Sequence, residues 1–195
     1  YKRQALLIST LNNPFFVDLR DGAQAEANKL GVNLLVSDAQ NDSATQQNQA
    51  QNAQSQGAKA VIINPVDSDA ASPAVAPLLS ANLPVISVDR SVTGEDVTAH
   101  IASDNVAGGA QAADELAKAI GEKGDIIILQ GTPGAASTRD RGDGFKKEIK
   151  KYAGIKVVAE QTANFDRSEA LDVTSNLMQA NPNICLLYTS PSPRD

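Results

Sequence analysis

Residues 4–30 read QALLISTLNNPFFVDLRDGAQAEANKL, and how this stretch divides decides the fold. Ala5 to Ile8 is an apolar run of strand length. Further on, Phe16, Leu19, Ala23, Ala27 and Leu30 recur at spacings of three and four, which places them on one helix face. Between the two stand Asn12, Asn13 and Pro14, good turn and cap residues. The stretch therefore reads as a strand turning through a polar corner into an amphipathic helix. The corner also carries Phe15 and Phe16, half of the four phenylalanines in a chain that has no tryptophan. They are either core or binding surface, and the spacing puts at least one of them in the core.

The same alternation runs outward along the chain. Strand-like runs occur at NLLVSDA (33–39), AVIINP (60–65), PVISVD (84–89), HIASD (100–104), DIIILQ (125–130) and IKVVAEQ (155–161). Helical patterns fill most of the gaps, at SATQQNQAQNAQSQG (43–57), NVAGGAQAADELAKAIG (105–121), STRDRGDGFKKEIKKY (137–152) and RSEALDVTSNLMQA (167–180). Ser43 reads as an N-cap and Gly57 as a stop. Strands alternating with helices of this length predict an α/β fold of βαβ units with parallel sheets covered on both faces. The link RSVTGEDVTA (90–99) is too short for a crossover helix, and a new helix begins soon after it. We therefore expect two Rossmann-like lobes, residues 1–103 and 104–184, with a hinge at Ser103 and Asp104.

The last eleven residues, CLLYTSPSPRD (185–195), break with this pattern. They look like a translated sequencing adaptor, so the native sequence is expected to end near Ile184 and its one cysteine, Cys185, to be foreign. Tyr1 reads as the start of a processed chain or of a fragment.

Composition narrows the function classes. A net charge of −6 and a pI near 4.8 argue against a nucleic-acid partner. The longest apolar runs are far short of a membrane span. One cysteine and one histidine are too few for a Cys/His metal site, and no nucleophile–base pair stands out. His100 is expected at a surface or strand edge. No glycine-rich phosphate loop follows the first strand. Neither a cofactor, a metal nor an enzymatic activity is expected.

In open parallel sheets, ligands bind beyond the carboxyl ends of the strands. The strands here deliver to that rim Asn13, Phe15 and Phe16, then Asn64, then Asp89 and Arg90. Arg139 and Arg141, in or just before the first turn of a helix, and Phe165 with Asp166 follow in the second half. Flat amide, carboxylate and guanidinium groups suit vicinal hydroxyls, and aromatic faces suit the C–H side of a sugar ring. Arginine in a first helical turn opposes the helix dipole, a local cost that a ligand role for Arg141 would explain. Each residue also has a plain reading: core for the phenylalanines, a cap for Asn13, a surface ion pair for Asp89 and Arg90. Convergence on one sheet edge favours the ligand.

The motifs STLNNPFF (9–16), INPVDSDA (63–70), PVISVDR (84–90), HIASDN (100–105), STRDRGDGF (137–145) and NFDR (164–167) resemble the type I periplasmic sugar-binding family of bacterial ABC import, its ribose receptors above all. The likeness runs from about Lys2 to about Ile184. It implies a two-lobed periplasmic receptor that closes on a monosaccharide, D-ribose first, and presents it to ABC permease membrane subunits. It further implies a monomer that a chemoreceptor can also engage. Matched motif by motif, the family's sugar contacts fall on Asn13, Phe15, Phe16, Asn64, Asp89, Arg90, Arg141 and Phe165, with the hinge at Ser103 and Asp104. The chain stops before the family's next motif, so both lobes are expected to be incomplete and to leave open sheet edges. Rival readings are the effector domain of a lactose-repressor-type regulator, or a receptor for allose or a furanose-like autoinducer.

Overall fold

The strand-like runs become eight strands in a computed structural model that describes residues 3–189. The chain divides into two compact units. The first holds residues up to Ala102 together with Gly134–Ala136, and the second holds Ser103–Pro133 and the residues from Ser137 onward.

In the first unit, β1 (Arg3–Ile8), β2 (Asn33–Asp38), β3 (Val61–Ile63), β4 (Val85–Val88) and β5 (Ala99–Ile101) form one parallel sheet in the order β2-β1-β3-β4-β5. Helix α1 (Pro14–Lys29) covers one face, and α2 (Ser43–Ser55) and α3 (Ser72–Ser80) cover the other. Side chains alternate across a strand, so Leu6 and Ile8 pack with Phe16 under α1 while Ala5 and Leu7 pack under α2 and α3. Burial on both faces is why β1 is continuously apolar from Ala5 to Ile8 rather than alternating. Because β2 and β3 flank β1, the strand order reverses at β1, which makes the carboxyl ends of β1 and β3 the switch point beyond which open α/β sheets bind ligands.

The second unit is a three-stranded parallel sheet in the order β7-β6-β8, made by β6 (Lys123–Gln130), β7 (Gly154–Thr162) and β8 (Ile184–Thr189). Its helices are α4 (Asn105–Ala119), α5 (Ala136–Ile149) and α6 (Arg167–Ala180). Ile126 and Ile128 of β6 meet Leu116 of α4 and Phe145 of α5 in one core. Helices α4 and α5 touch backbone to backbone. A Cβ on Gly109 would lie 2.0 Å from the Arg141 carbonyl oxygen, and one on Gly144 would lie 2.0 Å from that of Val106. The Tyr152 hydroxyl donates to Asp114 Oδ1 at 2.8 Å, tying the end of the α5 segment to α4 and pushing the phenol up to about 12.

Several expectations are corrected. Asp42, not Ser43, caps α2: its Oδ1 accepts from Thr45 N, and hydrogen bonding from the Thr45 side chain and then from its backbone holds the carboxyl below its usual range. Ser43 is the first helical residue. Leu30 is the C-cap of α1 and 66% exposed, because the helix ends there and Gly31 turns away at φ +66°. Helix α3 has no counterpart in the sequence reading, since Pro73 and Pro77 hide it. Pro73 sits in the first turn, where a missing N–H is harmless, and Ala74, Val75 and Leu78 are buried. Arg141 is the sixth residue of α5 and so lies in its second turn, where the dipole argument no longer applies. As a separate matter from their expected foreign origin, residues 185–189 complete β8, and Tyr188 stacks on Phe145 at 3.9 Å. The rest of that tail, 190–195, lies outside the described residues.

Gly109→Ala is expected to cost about 1–3 kcal/mol by overpacking α4 against α5. The neighbouring Gly108, with nothing within 4 Å of its added Cβ, is expected to gain about 0.5–1 kcal/mol as alanine. Opposite shifts in denaturation midpoint check the pair. Since folding raises the Tyr152 pKa from 10.0 to about 12, its bond to Asp114 stabilises fully below pH 10 and is lost as pH rises through 12. An ultraviolet titration of the parent minus Tyr152→Phe reads that step.

Candidate functional site

Three adjacent parallel strands of the first unit end at one rim, and each is followed at once by predicted site residues. Asn13, Phe15 and Phe16 follow β1, Asn64 follows β3, and Asp89 and Arg90 follow β4. They are linked in a chain of pairwise contacts, Asn13 to Phe15, Phe15 to Phe16, Phe16 to Arg90, Arg90 to Asp89 and Asp89 to Asn64.

Asn13 caps α1: its Oδ1 accepts from Phe15 N at 2.9 Å, which satisfies one of the orphan donors of the first turn. The residue is itself buried. Phe16 is core, packed with Leu6 and Ile8, while Phe15 is half-buried and meets it edge-on at 5.2 Å. The core reading therefore holds for Phe16, and Phe15 packs beside it with part of its ring exposed. Arg90 lies over the Phe16 ring, with Cζ 5.3 Å from the centroid.

Arg90 is 2% exposed, so the surface ion pair is excluded. Its guanidinium donates through one nitrogen to Pro65 O and Val66 O, both at 3.0 Å, and Nε faces Asp89 Oδ2 at 3.6 Å. Asp89 has φ +63°, and Arg90 N donates to Val88 O at 2.7 Å across it, a three-residue turn of the strained kind. The end of β4 is thus bent tightly so that acid and base project from consecutive residues. Asn64 is wholly buried and ties the strand ends together. Its Oδ1 accepts from Ser9 Oγ at 2.6 Å, and its Nδ2 donates to Val88 O at 3.1 Å and to Asp89 Oδ2 at 3.4 Å.

The second unit carries Arg141 and Phe165, after the carboxyl ends of the adjacent strands β6 and β7. Arg141 is buried and donates from Nε to Asn105 Oδ1 at 2.7 Å. Phe165 follows Asn164 in a second consecutive left-handed conformation (φ +52° and +57°), uncommon for a bulky side chain. Its ring lies on Gly131, where an added Cβ would come within 1.9 Å of it. Asp166 then caps α6 by accepting from Glu169 N. Ser103 and Asp104 are exposed, and Asp104 caps α4 through Ala107 N. His100 sits exposed on the edge strand β5, with Nδ1 2.8 Å from Ser87 Oγ.

Three participants escaped the sequence reading: Ser9, Gln46 and Asn105. Ser9 and Asn105 sit inside quoted motifs, at a strand end and at a helix start, where their position was a usable signal. Among the described residues no helix is long and apolar enough to cross a membrane.

The chain matches the family described as "Periplasmic binding protein domain" over residues 5–192. It is 49% identical over 184 residues to the ribose import binding protein of Salmonella typhimurium, covering 94% of this chain and 62% of that protein. The D-allose-binding periplasmic protein of Escherichia coli is 33% identical, with 94% of this chain and 62% of that protein covered. Among solved structures, the Caulobacter myo-inositol binding protein bound to myo-inositol is similar with a TM-score of 0.92 and 35% identity, over 96% of this chain and 65% of that one. The chain therefore spans a little over three fifths (62%) of the length of these curated relatives.

Lysine at position 90 keeps the charge but ends one bond short of the nitrogen that meets both loop carbonyls, and it has no Nε to face Asp89. Arg90→Lys is expected to destabilise the first unit by about 1.5–3 kcal/mol. An unshifted chemical-denaturation midpoint would show that those two bonds contribute nothing.

Proposed function

The chain belongs to the periplasmic binding protein domain family, and from that premise we propose that the protein is an extracytoplasmic solute-binding protein of ABC import that captures a monosaccharide, D-ribose. It delivers the sugar to the membrane subunits of an ABC permease, works as a monomer in the periplasm, and also presents its closed form to a chemoreceptor. It is a binder and not a catalyst.

The observation that carries this reading is the clustering of Asn13, Phe15, Phe16, Asn64, Asp89 and Arg90 at the ends of three neighbouring strands. A bent strand end offering a carboxylate and a guanidinium from consecutive residues suits a pair of adjacent hydroxyls, each of which donates and accepts. The half-buried Phe15 ring suits the apolar face of the sugar, and Asn64 holds the polar groups in place. Arg141 and Phe165 add a second cation and a second aromatic face from the other unit. Ser103 and Asp104 form the hinge, and sugar stabilises the closed state through contacts that the open state lacks. The assignment to ribose rests on the ribose import binding proteins among the relatives, and the allose-binding relative defines the nearest competing sugar.

The test is calorimetric titration with D-ribose, D-allose and myo-inositol. It uses the chain extended to the length of its relatives with the C-terminal part of the Salmonella typhimurium protein. Ribose is expected to bind tightest. Heat from none of the three would reject the reading, and allose binding best would move the specificity. Arg141→Ala is expected to weaken binding by roughly 2–5 kcal/mol, and an unchanged affinity would remove Arg141 from the site. Reading the gene upstream of Tyr1 gives a second check: a secretion signal supports the proposal, and a helix-turn-helix would replace it with a repressor.

A further inference from the structure

We propose that Gln46 is a positioning residue of the sugar site, acting through the loop that follows β3; this rests on the function proposed above. Gln46 belongs to α2, whose other buried residues are Ala50 and Ala53, so one face of the helix lies against the sheet. It is the first buried position of that face, near the helix start. In a βα unit the helix start lies beside the carboxyl ends of the strands. The side chain is 3% exposed, and both ends of its amide bond to the backbone of that loop. Nε2 donates to Asn64 O at 2.9 Å and Oε1 accepts from Val66 N at 2.9 Å.

The loop needs this partner. Strand β3 is only three residues long, and Pro65 has no N–H with which to extend the ladder. A complete count of the polar backbone groups of Asn64, Pro65 and Val66 closes as follows. Asn64 N donates to Leu7 O, Asn64 O and Val66 N are both met by Gln46, and Pro65 O and Val66 O are both met by Arg90. Gln46 and Arg90 therefore grip the same three residues from opposite sides. Without the amide, two backbone groups lose their partners in the interior, a situation that folded proteins avoid by moving the chain or admitting water. Any such shift moves the carbonyls that orient Arg90 and the Asn64 side chain that holds the bend at Asp89. Gln46 touches no sugar itself; it fixes the groups that do.

The experiment uses the extended chain, titrated with D-ribose at a temperature where parent and variants are all fully folded by circular dichroism. Gln46→Leu keeps the bulk and removes both bonds, and it is expected to weaken ribose binding by about tenfold or more. Gln46→Glu supplies a readout that a purely structural brace would not move, and it keeps the test open should Gln46→Leu fail to fold. The neutral acid can donate to Asn64 O and accept from Val66 N as the amide does, whereas the carboxylate turns a negative charge on Asn64 O. Ribose affinity of Gln46→Glu is therefore expected to rise towards that of the parent as pH falls from 8 to 5, against a parent measured in parallel. The charged groups around the position are Arg90 with Asp89 on the β4 loop, Asp67 just past Val66, and Asp42 at the start of α2. All of them are common to parent and variant. Parent-like affinity in folded Gln46→Leu, or parent-like pH dependence in Gln46→Glu, overturns the positioning role alone. A parent that binds none of the sugars overturns the underlying function and this inference with it.

Discussion

A guanidinium that is 2% exposed dictates how the first unit is built. An isolated cation does not survive in an interior of low polarity, so its donors must be met by groups already fixed in place. Arg90 meets carbonyls from the loop after β3, the carboxylate of its own neighbour and the ring face of Phe16 on α1. Those partners come from three loops that are distant in sequence. Burying one side chain therefore locks the ends of β1, β3 and β4 relative to one another. Groups held in this way lose little freedom on binding, and preorganisation of that kind improves affinity more than added contact area does.

The rigidity carries strain with it. Asp89 occupies a left-handed conformation inside a three-residue turn, and such a residue persists only where its surroundings over-determine it. Asn64 does part of that work through its bond to Val88 O, and Asp89 N is held by Ile101 O from the edge strand. The bend lets Asp89 and Arg90 act as a pair, an arrangement an extended strand would prevent by sending successive side chains to opposite faces.

What the sequence revealed follows from what is local. The β1–α1 corner was legible because an apolar run, a turn and a 3.6-residue period are all written within 27 residues, 4–30. Both parallel sheets followed from repetition of that pattern, and the rim residues followed from the rule that ligands bind beyond strand ends. Long-range pairing was not legible. Gln46 is one glutamine among several in a helix with little amphipathic contrast, and nothing in the run marks it as the one whose amide faces inward. Helix α3 was hidden because proline is a helix breaker by propensity, yet is harmless in a first turn. Arg141 was set one turn too early because no Ser, Asp or Asn cap marks where α5 begins. Phe16 was ambiguous for a different reason: its ring fills the core below and carries Arg90 above, and spacing alone shows only the first of these.

The second unit reaches a fixed cation by another route. Here the constraint is close packing, since glycines at 109 and 144 let α4 and α5 approach until backbone meets backbone. That approach brings the first residue of α4 within hydrogen-bond distance of Arg141 on α5. Asn105 in turn follows Asp104, whose carboxylate caps the same helix through Ala107 N. The cap, the amide and the guanidinium therefore form one continuous chain of bonded groups that starts at the residue after Ser103.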